Sequence, residues 1–570
     1  LTGGLCFELC GFLVPWLPRP TLLSSAAWLP WACAALERAR RARDGRWAMA
    51  GGAAVGMSAL AGHPQVFYYV GLAATLLLLV RVRPRHWLGF AVTAGLLSAT
   101  ALLPVLEVAP RGHRPVMRTE GGYKGFLGRA VGRDRLVTIA QPRFYGNPMR
   151  GTVNPSRGQS ALGAARSGAY WGFDRQGALA PGDFAEFNLF CGLAALLLAI
   201  LAWWRPGPAR LYGLLALAGL VLALGLPPNR LLYFHLPGWS AGAGPCRLAL
   251  WWCFGIAVSA GLGVDALAQC PPRRVWLVAA ALLAAHGIAW LLAGAALGTA
   301  PPLAAVTQFG RLLGLLAVVA WLAVGSLVIS RWPRWASALL LVELLSFGLG
   351  NVPTCPASRL DRGQVSAWLA RYGGVPASER VALADPPREW GFYSAPVGLQ
   401  LPPNLATVAG LRDAGGYDSL MLAGTKDRLS RLAGGQLISP PINGNMLLLG
   451  NLRRLPDGTS LGLPQSAHGL PRSLGAIRVD RANRVTLELP AGRHVLHDTS
   501  YPGWRLYGPD GRQLAWQGAL GAGRQFEIAQ PGLARFVYQP MTVRLGLFCG
   551  LLGLALLLAT CLAGRGGRKG

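Results

Sequence analysis

The chain has 570 residues, of which 52% are hydrophobic and only 14% are charged, and its formal net charge at pH 7 is +30. Because soluble proteins usually carry about 25% charged residues, this composition excludes an ordinary water-soluble globular protein. The positive charge does not indicate nucleic-acid binding, since the basic residues stand in short clusters between apolar runs and are not interleaved with aromatic side chains.

Apolar runs recur along the chain and are long enough to cross a bilayer core of roughly 30 Å. They predict a polytopic α-helical membrane protein with about twelve spans, at 2–18, 21–36, 47–62, 65–82, 86–104, 184–204, 209–226, 246–265, 275–297, 312–330, 334–350 and 542–563. The predicted organisation is transmembrane helices in 1–104, an extracytoplasmic loop in 105–183, transmembrane helices in 184–350, an extracytoplasmic α/β to β-sandwich domain in 351–541, and a final transmembrane helix with a basic cytoplasmic tail in 542–570.

The sidedness follows from the basic loops. If every predicted span crosses, then one side of the membrane receives the tail and the basic links 37–46, 81–86, 205–210, 268–275 and 330–334. An excess of Lys and Arg marks cytoplasmic loops, whereas long segments translocate largely regardless of their charge. We therefore expect the two long polar segments to lie outside the cytoplasm.

The second polar segment contains the strand pattern. Residues 364–373 have a helical pattern, but 484–492, 493–504, 523–532 and 533–540 alternate polar and apolar residues between Gly and Pro. This alternation predicts a small antiparallel, sandwich-like β-rich domain. Its aromatic residues Tyr501, Trp504 and Tyr507 either stack on sugar rings or fill the core of the sandwich.

Ten cysteines are present, most of them inside apolar runs, and only Cys355 lies well inside a polar region. Buried cysteines of this kind act as small hydrophobic residues. We expect no structural disulfide, no zinc site and no metal-binding residues in this chain. No cofactor is identified, because the sequence contains no Walker A loop, no GxSxG elbow and no HExxH motif.

Charged and polar residues in or beside the spans are the candidate site residues, because they are costly there. Glu8 and Glu343 are intramembrane acids, with hydrogen bonding between helices as the structural alternative. His63 and Gln65, in the stretch GHPQ, stand at a predicted outer boundary. They are candidates for binding a phosphate or a sugar hydroxyl, and the alternative for His63 is a loop cap.

Arg247 begins a span at the same predicted face, where its planar guanidinium suits a phosphate; the alternative is a side chain that reaches to the interface. Glu186 begins the span after the first long loop and is a candidate acid or base, or a partner that orients an Arg. Glu107 and Asp174 are weaker catalytic candidates of the same kind.

Several stretches together resemble the bacterial YfhO family of membrane proteins. They are LAGHPQVFYY (60–69), PRFYGNP (142–148), EFNLFCG (186–192), GPCRLALWW (244–252), GLGVDAL (261–267), VELLSFGLGNVP (342–353), LPPNLATVAGLRDAGGYDSL (401–420), YPGW (501–504) with Asp510–Gly511, and Tyr538–Gln–Pro540. The resemblance runs from about residue 5 to residue 563.

The resemblance implies an architecture similar to the GT-C glycosyltransferases, and a location in the bacterial cytoplasmic (inner) membrane. The implied reaction transfers a sugar from a polyprenyl-phosphate donor to a cell-envelope polymer on the outer face. The partners would be membrane lipid, this donor and the polymer acceptor, with no nucleic acid. GT-C enzymes carry an acidic residue in the first external loop, which would lie before Leu1. We therefore expect an N-terminal part to be missing, and with it the catalytic acid and any divalent-metal site.

Two other function classes remain open at this point. One is a lipid-linked sugar flippase or transporter, with Glu8 and Glu343 lining its pathway. The other is a non-catalytic membrane protein of envelope assembly.

Overall fold

The computed structural model describes residues 1–17, 20–112, 118–152, 169–170, 184–297, 301–352, 380–383, 412–413, 422–423, 446–449, 476–481, 483–496, 500–519 and 523–566. Helices α1 to α7 are Thr2–Glu8, Pro20–Ala26, Trp28–Ala42, Gly45–Leu60, Pro64–Arg81, Trp87–Val108 and Glu120–Leu127. Helices α8 to α15 are Leu193–Trp203, Pro208–Ala223, Pro228–His235, Ala249–Ala266, Pro272–Leu297, Pro301–Arg331, Ala336–Gly348 and Met541–Gly566.

Six helical segments within the described residues are long and apolar enough to cross a membrane. They are Pro64–Arg81, Pro84–Arg111, Pro245–Ala266, Pro272–Ala295, Arg311–Arg331 and Met541–Ala563. Helices α9 and α10 meet at a bend of 82° and make a seventh span if they cross together. The protein is therefore a membrane-embedded helical bundle, and the figure of twelve spans stays a prediction.

Three predicted spans are not single continuous helices, and one of them, 21–36, divides between α2 and α3 at Ala27. In 2–18, α1 ends at Glu8, and a short 3-10 turn that contains Pro15 follows at Val14–Trp16. In 184–204 only α8 is helical, and the preceding stretch is a turn followed by irregular backbone, most of it buried. This stretch is held by protein rather than lipid, since the Gly11 amide donates to the Phe190 carbonyl over 2.6 Å and the Trp252 indole donates to the Leu189 carbonyl over 2.9 Å.

The basic loops meet at one face of the bundle. Glu37 at the end of α3 forms ion pairs with Arg40 at 2.6 Å and with Arg81 at 3.5 Å. The guanidinium of Arg85 donates to the carbonyl of Arg43 over 3.4 Å. These contacts bring the links after α3 and after α5 together, and we refer to this side as the basic face.

The last helix, α15, packs closely against α6. Thr100 Oγ1 donates to the Gly546 carbonyl over 2.9 Å, although 446 residues separate the two in sequence. A Cβ at Gly546 would lie 2.8 Å from the Ala99 carbonyl oxygen, and one at Gly550 would lie 2.4 Å from Thr100 Oγ1. Small residues permit this close approach, as they do in other membrane helix pairs.

The C-terminal region contains a two-sheet β structure. Strands β1 to β5 are short, at Asn147–Thr152, Ala169–Tyr170, Arg380–Leu383, Arg412–Asp413 and Met446–Leu449. Strands β6 to β13 are Ala476–Arg481, Arg484–Leu489, Gly492–Leu496, Trp504–Tyr507, Gln513–Leu514, Trp516–Ala519, Gly523–Ile528 and Gly532–Tyr538. The last eight form antiparallel sheets in the orders β10-β9-β13-β7-β6 and β11-β12-β8.

The two sheets share one apolar core, in which the rings of Phe526 and Phe536 pack edge to face with centroids 5.1 Å apart. The predicted β-rich region is thus present, and its strands follow the alternating stretches. The turn at GPDGR closes where the Gly508 amide donates to the Arg512 carbonyl over 2.8 Å, with Gly511 at φ +78°. The predicted helix at 364–373, and Cys355, lie outside the described residues.

Candidate functional site

Four candidate residues that are far apart in the sequence meet in one hydrogen-bonded group. His63 is the N-cap of α5 and Gln65 lies in its first turn. Arg247 lies in the 3-10 turn Pro245–Leu248 that leads into α11, and Glu186 lies in a turn before α8. Tyr69, one turn after Gln65 on α5, completes the group. We call these five residues the Arg247 cluster.

The guanidinium of Arg247 is the centre of the cluster. Its Nε and Nη2 lie 2.8 Å and 2.7 Å from the same oxygen, Oε1 of Glu186. Its Nη1 donates to Gln65 Oε1 over 2.8 Å. The side chains of Arg247 and Glu186 are 16% and 11% exposed. The pair is therefore largely desolvated, and Glu186 holds the guanidinium in one orientation.

Gln65 is fixed by its own donors. Its Nε2 donates to Tyr69 Oη over 2.9 Å and to the Gly244 carbonyl over 2.8 Å. The orientation of the amide follows from these two bonds, so its carbonyl oxygen points at Arg247. Position i+4 on a helix places Tyr69 above Gln65, where its ring packs against Trp239 with centroids 5.8 Å apart.

His63 caps the N-terminus of α5. Its Nδ1 accepts from the Val66 amide over 3.2 Å, and its own amide donates to Ser25 Oγ over 3.2 Å. Burial, and then the charge of Arg247, lower the pKa of His63 from 6.5 to about 4. The imidazole is therefore neutral at pH 7. The predicted loop cap is real, but it uses only one of the two ring nitrogens.

The second ring nitrogen of His63 faces the guanidinium of Arg247. Because Nδ1 accepts, a neutral imidazole must bear its proton on Nε2. That nitrogen lies 3.4 Å from Nη1 of Arg247, which is also a donor. Two donor groups thus face the same small region. An oxygen that accepts hydrogen bonds, such as a phosphate oxygen, would satisfy both of them.

Glu186 was a candidate acid or base, and its geometry favours the alternative role of orienting an arginine. One carboxylate oxygen is held by Arg247, and the other accepts from Cys246 Sγ over 3.4 Å. A catalytic role for Glu186 stays a prediction.

Glu107 lies elsewhere, where the bundle meets the β sandwich. Its carboxylate accepts a hydrogen bond from Thr542 at the start of α15. Burial, and then the charge of Glu107, raise the pKa of Tyr501 to about 12. Arg111 lies 6.0 Å from the centroid of the Tyr501 ring. Glu107 therefore connects α6, α15 and the YPGW turn, and it makes no contact with the Arg247 cluster.

The two intramembrane acids differ from each other. Glu343 is buried and accepts from the amides of Leu193 and Ala194 over 2.6 Å and 3.1 Å, so it caps the N-terminus of α8. These bonds join two helices, which is the structural alternative to a pathway residue, and a transport role for Glu343 stays a prediction. Glu8 lines an apolar groove of about 910 Å³ between α1, α3 and α11, and no described residue forms an ion pair with it.

The aromatic candidates of the sandwich serve mainly its core and its junction with the bundle. Trp504 packs against Phe536 and lies 4.0 Å from the guanidinium carbon of Arg524, which is itself buried. Tyr501 belongs to the Glu107 junction. Sugar stacking by these residues therefore stays a prediction, and Asp174 lies outside the described residues.

Sequence reasoning missed two members of this region. Tyr69 had a usable signal, since it follows Gln65 by one helical turn. Trp16, whose ring lies 5.5 Å from the guanidinium carbon of Arg247, had none, because it arrives from the interrupted first span.

Within the described part of the chain, no group of three or more His, Cys, Asp or Glu side chains could hold a metal ion. Its nine described cysteines are all free thiols. Comparison with family models, curated proteins and solved structures finds no match.

Proposed function

We propose that the chain is a glycosyltransferase-like membrane protein that transfers a sugar from a polyprenyl-phosphate donor to a cell-envelope polymer. The Arg247 cluster would bind the donor phosphate. The single observation that carries the proposal is a pair of hydrogen-bond donors, His63 Nε2 and Arg247 Nη1, which lie 3.4 Å apart. The guanidinium of Arg247 is held in place by its ion pair with Glu186.

The proposed sidedness places the basic face in the cytoplasm of a bacterial inner membrane. Helix α5 runs from His63 to Arg81, so the Arg247 cluster lies at the end of α5 opposite to the basic face. The Glu107 junction lies at the corresponding end of α6. Both the cluster and the β sandwich would then face the cell envelope, where lipid-linked sugars and polymer acceptors meet. Positive loops on the other face support this orientation.

The proposed chemistry is displacement at the anomeric carbon. An acceptor hydroxyl oxygen forms a bond to that carbon, the bond from the carbon to the phosphate oxygen breaks, and the phosphate leaves with the electron pair. Negative charge grows on the leaving oxygen, where positioned donors stabilise it most. His63 and Arg247 would supply those donors. A general base takes the hydroxyl proton, and Glu107 and Glu186 are its candidates in this chain.

The test uses the full-length protein in its own membrane. Arg247→Gln should abolish glycan on the envelope polymer and leave the lipid-linked sugar unconsumed, while the protein remains inserted. The matched control is Arg230→Gln, since Arg230 pairs with Glu120 at 2.5 Å in the open, with both side chains more than half exposed. Unchanged glycan in Arg247→Gln at normal protein levels would refute the enzyme and favour an assembly role.

A second candidate, transport of a lipid-linked sugar, is favoured by one observation. The chain enters the bundle at 184–192 as largely buried, non-helical backbone, and α8 then begins at a capped N-terminus. Interrupted helices of this kind are common at transporter binding sites. Reconstituted vesicles distinguish transport from glycosyl transfer. A transporter moves labelled lipid-linked sugar across the bilayer without any acceptor. A transferase consumes the labelled sugar only when the acceptor polymer is present.

A further inference from the structure

A second buried arginine lies far from the Arg247 cluster. Arg311, at the start of the apolar part of α13, is 8% exposed. Its guanidinium carbon lies 4.6 Å from the centroid of the Trp290 ring on α12 and 5.2 Å from that of Phe144. Its Nε has no hydrogen-bond partner, and no carboxylate among the described residues forms an ion pair with it.

Other polar groups near Arg311 also lack partners. The indole nitrogen of Trp290 is buried and unpaired, and so are both ring nitrogens of His286, one turn earlier on α12. Gln141 lies against Gly314 of α13, three residues after Arg311, and its carbonyl oxygen is buried without a donor. This part of the bundle therefore contains Nε of Arg311, the indole N–H of Trp290, both ring nitrogens of His286 and the carbonyl oxygen of Gln141, each buried without a hydrogen-bond partner among the described residues.

Such a set is costly in a folded protein unless something fills it. A buried polar group normally has a partner, and a buried charge without one is more costly still. A ligand that satisfies these groups needs two chemical features. An anionic oxygen would accept from Arg311 and Trp290, and an adjacent hydroxyl would donate to Gln141. A phosphate ester that carries a hydroxyl group combines the two.

The surroundings point to the membrane as its source. The side chains next to Arg311 along α13 face outwards, with Leu312 49%, Leu313 50% and Leu316 62% exposed. Leu291, beside Trp290 on α12, is 65% exposed. This surface faces hydrocarbon in a membrane, so a ligand with acyl chains can reach the site from the bilayer. Gly294 makes room for the guanidinium, since a Cβ there would lie 2.5 Å from Arg311 Nη2.

We propose that Arg311, Trp290 and Gln141 form a site for a phosphate ester with a neighbouring hydroxyl, supplied by the headgroup of an anionic phospholipid. Arginine suits phosphate because its fork of donors matches two oxygens. The site is separate from the Arg247 cluster, and it does not depend on the proposed glycosyl transfer.

The test measures lipid retained by the purified full chain in discs of phosphatidylcholine with a minor share of phosphatidylglycerol, by native mass spectrometry. The unchanged protein should retain phosphatidylglycerol preferentially. In Arg311→Gln the retained amount should fall about tenfold, the value of one charge-assisted hydrogen bond. Trp290→Phe, which keeps the ring and removes the N–H, should fall about threefold. Arg331→Gln, at the exposed far end of the same helix, should stay within about twofold.

The same experiment distinguishes a phospholipid from a soluble phosphate ester as the ligand. Added inorganic phosphate or glycerol phosphate should not displace the lipid, and displacement at equal concentration would assign the site to a soluble phosphate ester instead. Equal retention of both lipids by the unchanged protein would overturn the proposal. If Arg311→Gln fails to fold, Trp290→Phe and Arg311→Lys decide, since both should reduce phosphatidylglycerol binding in a protein that keeps its fold. Retention by both at the unchanged level would also refute it.

Discussion

The surroundings of Arg247 and of Arg311 show two ways in which one membrane protein buries a guanidinium. Arg247 has a carboxylate, an amide oxygen and an imidazole around it, whereas Arg311 has two aromatic rings and no acceptor among the described residues. Burial alone therefore does not identify a role. Protein side chains orient the guanidinium of Arg247 at the proposed donor site, whereas the described residues supply no ion-pair partner for Arg311.

The largest effect should come from separating Arg247 from Glu186. Arg247→Met leaves a buried carboxylate without its counter-charge, which should cost about 3–5 kcal/mol of unfolding free energy. Thermal unfolding in detergent measures it. The double variant Arg247→Met with Glu186→Leu should recover much of the loss, because no lone charge then remains. If Arg247→Met lowers the unfolding free energy by less than about 1 kcal/mol, its ion pair with Glu186 contributes no more than an ordinary surface salt bridge.

The next effect is the pH dependence of stability that His63 introduces beside Arg247. Its pKa is lowered in the folded protein to about 4, against 6.5 when unfolded. The unfolded chain therefore binds the extra proton between these values, and stability falls as the pH drops from about 6.5 to about 4, by up to about 3 kcal/mol. His63→Asn keeps an N-cap acceptor and should flatten this part of the curve. If His63→Asn leaves the dependence of stability on pH unchanged, His63 is not the group responsible for it.

A third buried ionisable side chain, that of Glu343, has backbone amides as partners. Glu343→Gln keeps one acceptor oxygen but turns an NH₂ group towards the second amide at the start of α8. We expect a loss of about 1–2 kcal/mol, measured by thermal unfolding. Glu8→Gln is the matched control, because Glu8 lines an open groove and has no such bonds, and it should change stability by less than about 0.5 kcal/mol.

The smallest effect should be at Arg311, and of opposite sign. In discs of phosphatidylcholine alone, Arg311→Met removes an unpaired charge, so it should leave stability unchanged or raise it by up to about 1 kcal/mol. The comparison with Arg247→Met uses the same substitution in the same assay. A loss above about 2 kcal/mol would mean that Arg311 has a protein partner, and the contrast between the two sites would disappear.

Local patterns predicted much of the architecture. Alternation over 484–492 and 533–540 predicted β7 and β13, and long apolar runs predicted α5, α12 and α13. The same reasoning failed for 184–192, the first part of a predicted span, which is rich in apolar residues although its backbone is not helical. Hydropathy reports burial in an apolar environment and cannot distinguish lipid from protein as its source. Only the contacts with Gly11 and Trp252 reveal that difference.

The candidate site was predictable as separate residues but not as a cluster. Polar side chains at span ends singled out His63, Gln65, Glu186 and Arg247, because polarity is costly there. Which of them meet depends on helix packing, which no local pattern contains. Arg311 escaped notice for a related reason, since an arginine at the end of an apolar run is indistinguishable in sequence from one that reaches to the interface.

The packing of α6 on α15 has a consequence for biosynthesis. Thr100 leaves the ribosome 446 residues before Gly546, and at about 5–20 residues per second the interval is roughly 20–90 s. Throughout that time the flank of α6 that will contact Gly546 and Gly550 stays without its partner helix. A nascent chain stalled late in translation would therefore expose this surface of α6 to membrane chaperones and quality-control proteases. The surface is covered only when α15 has been synthesised and packs against it.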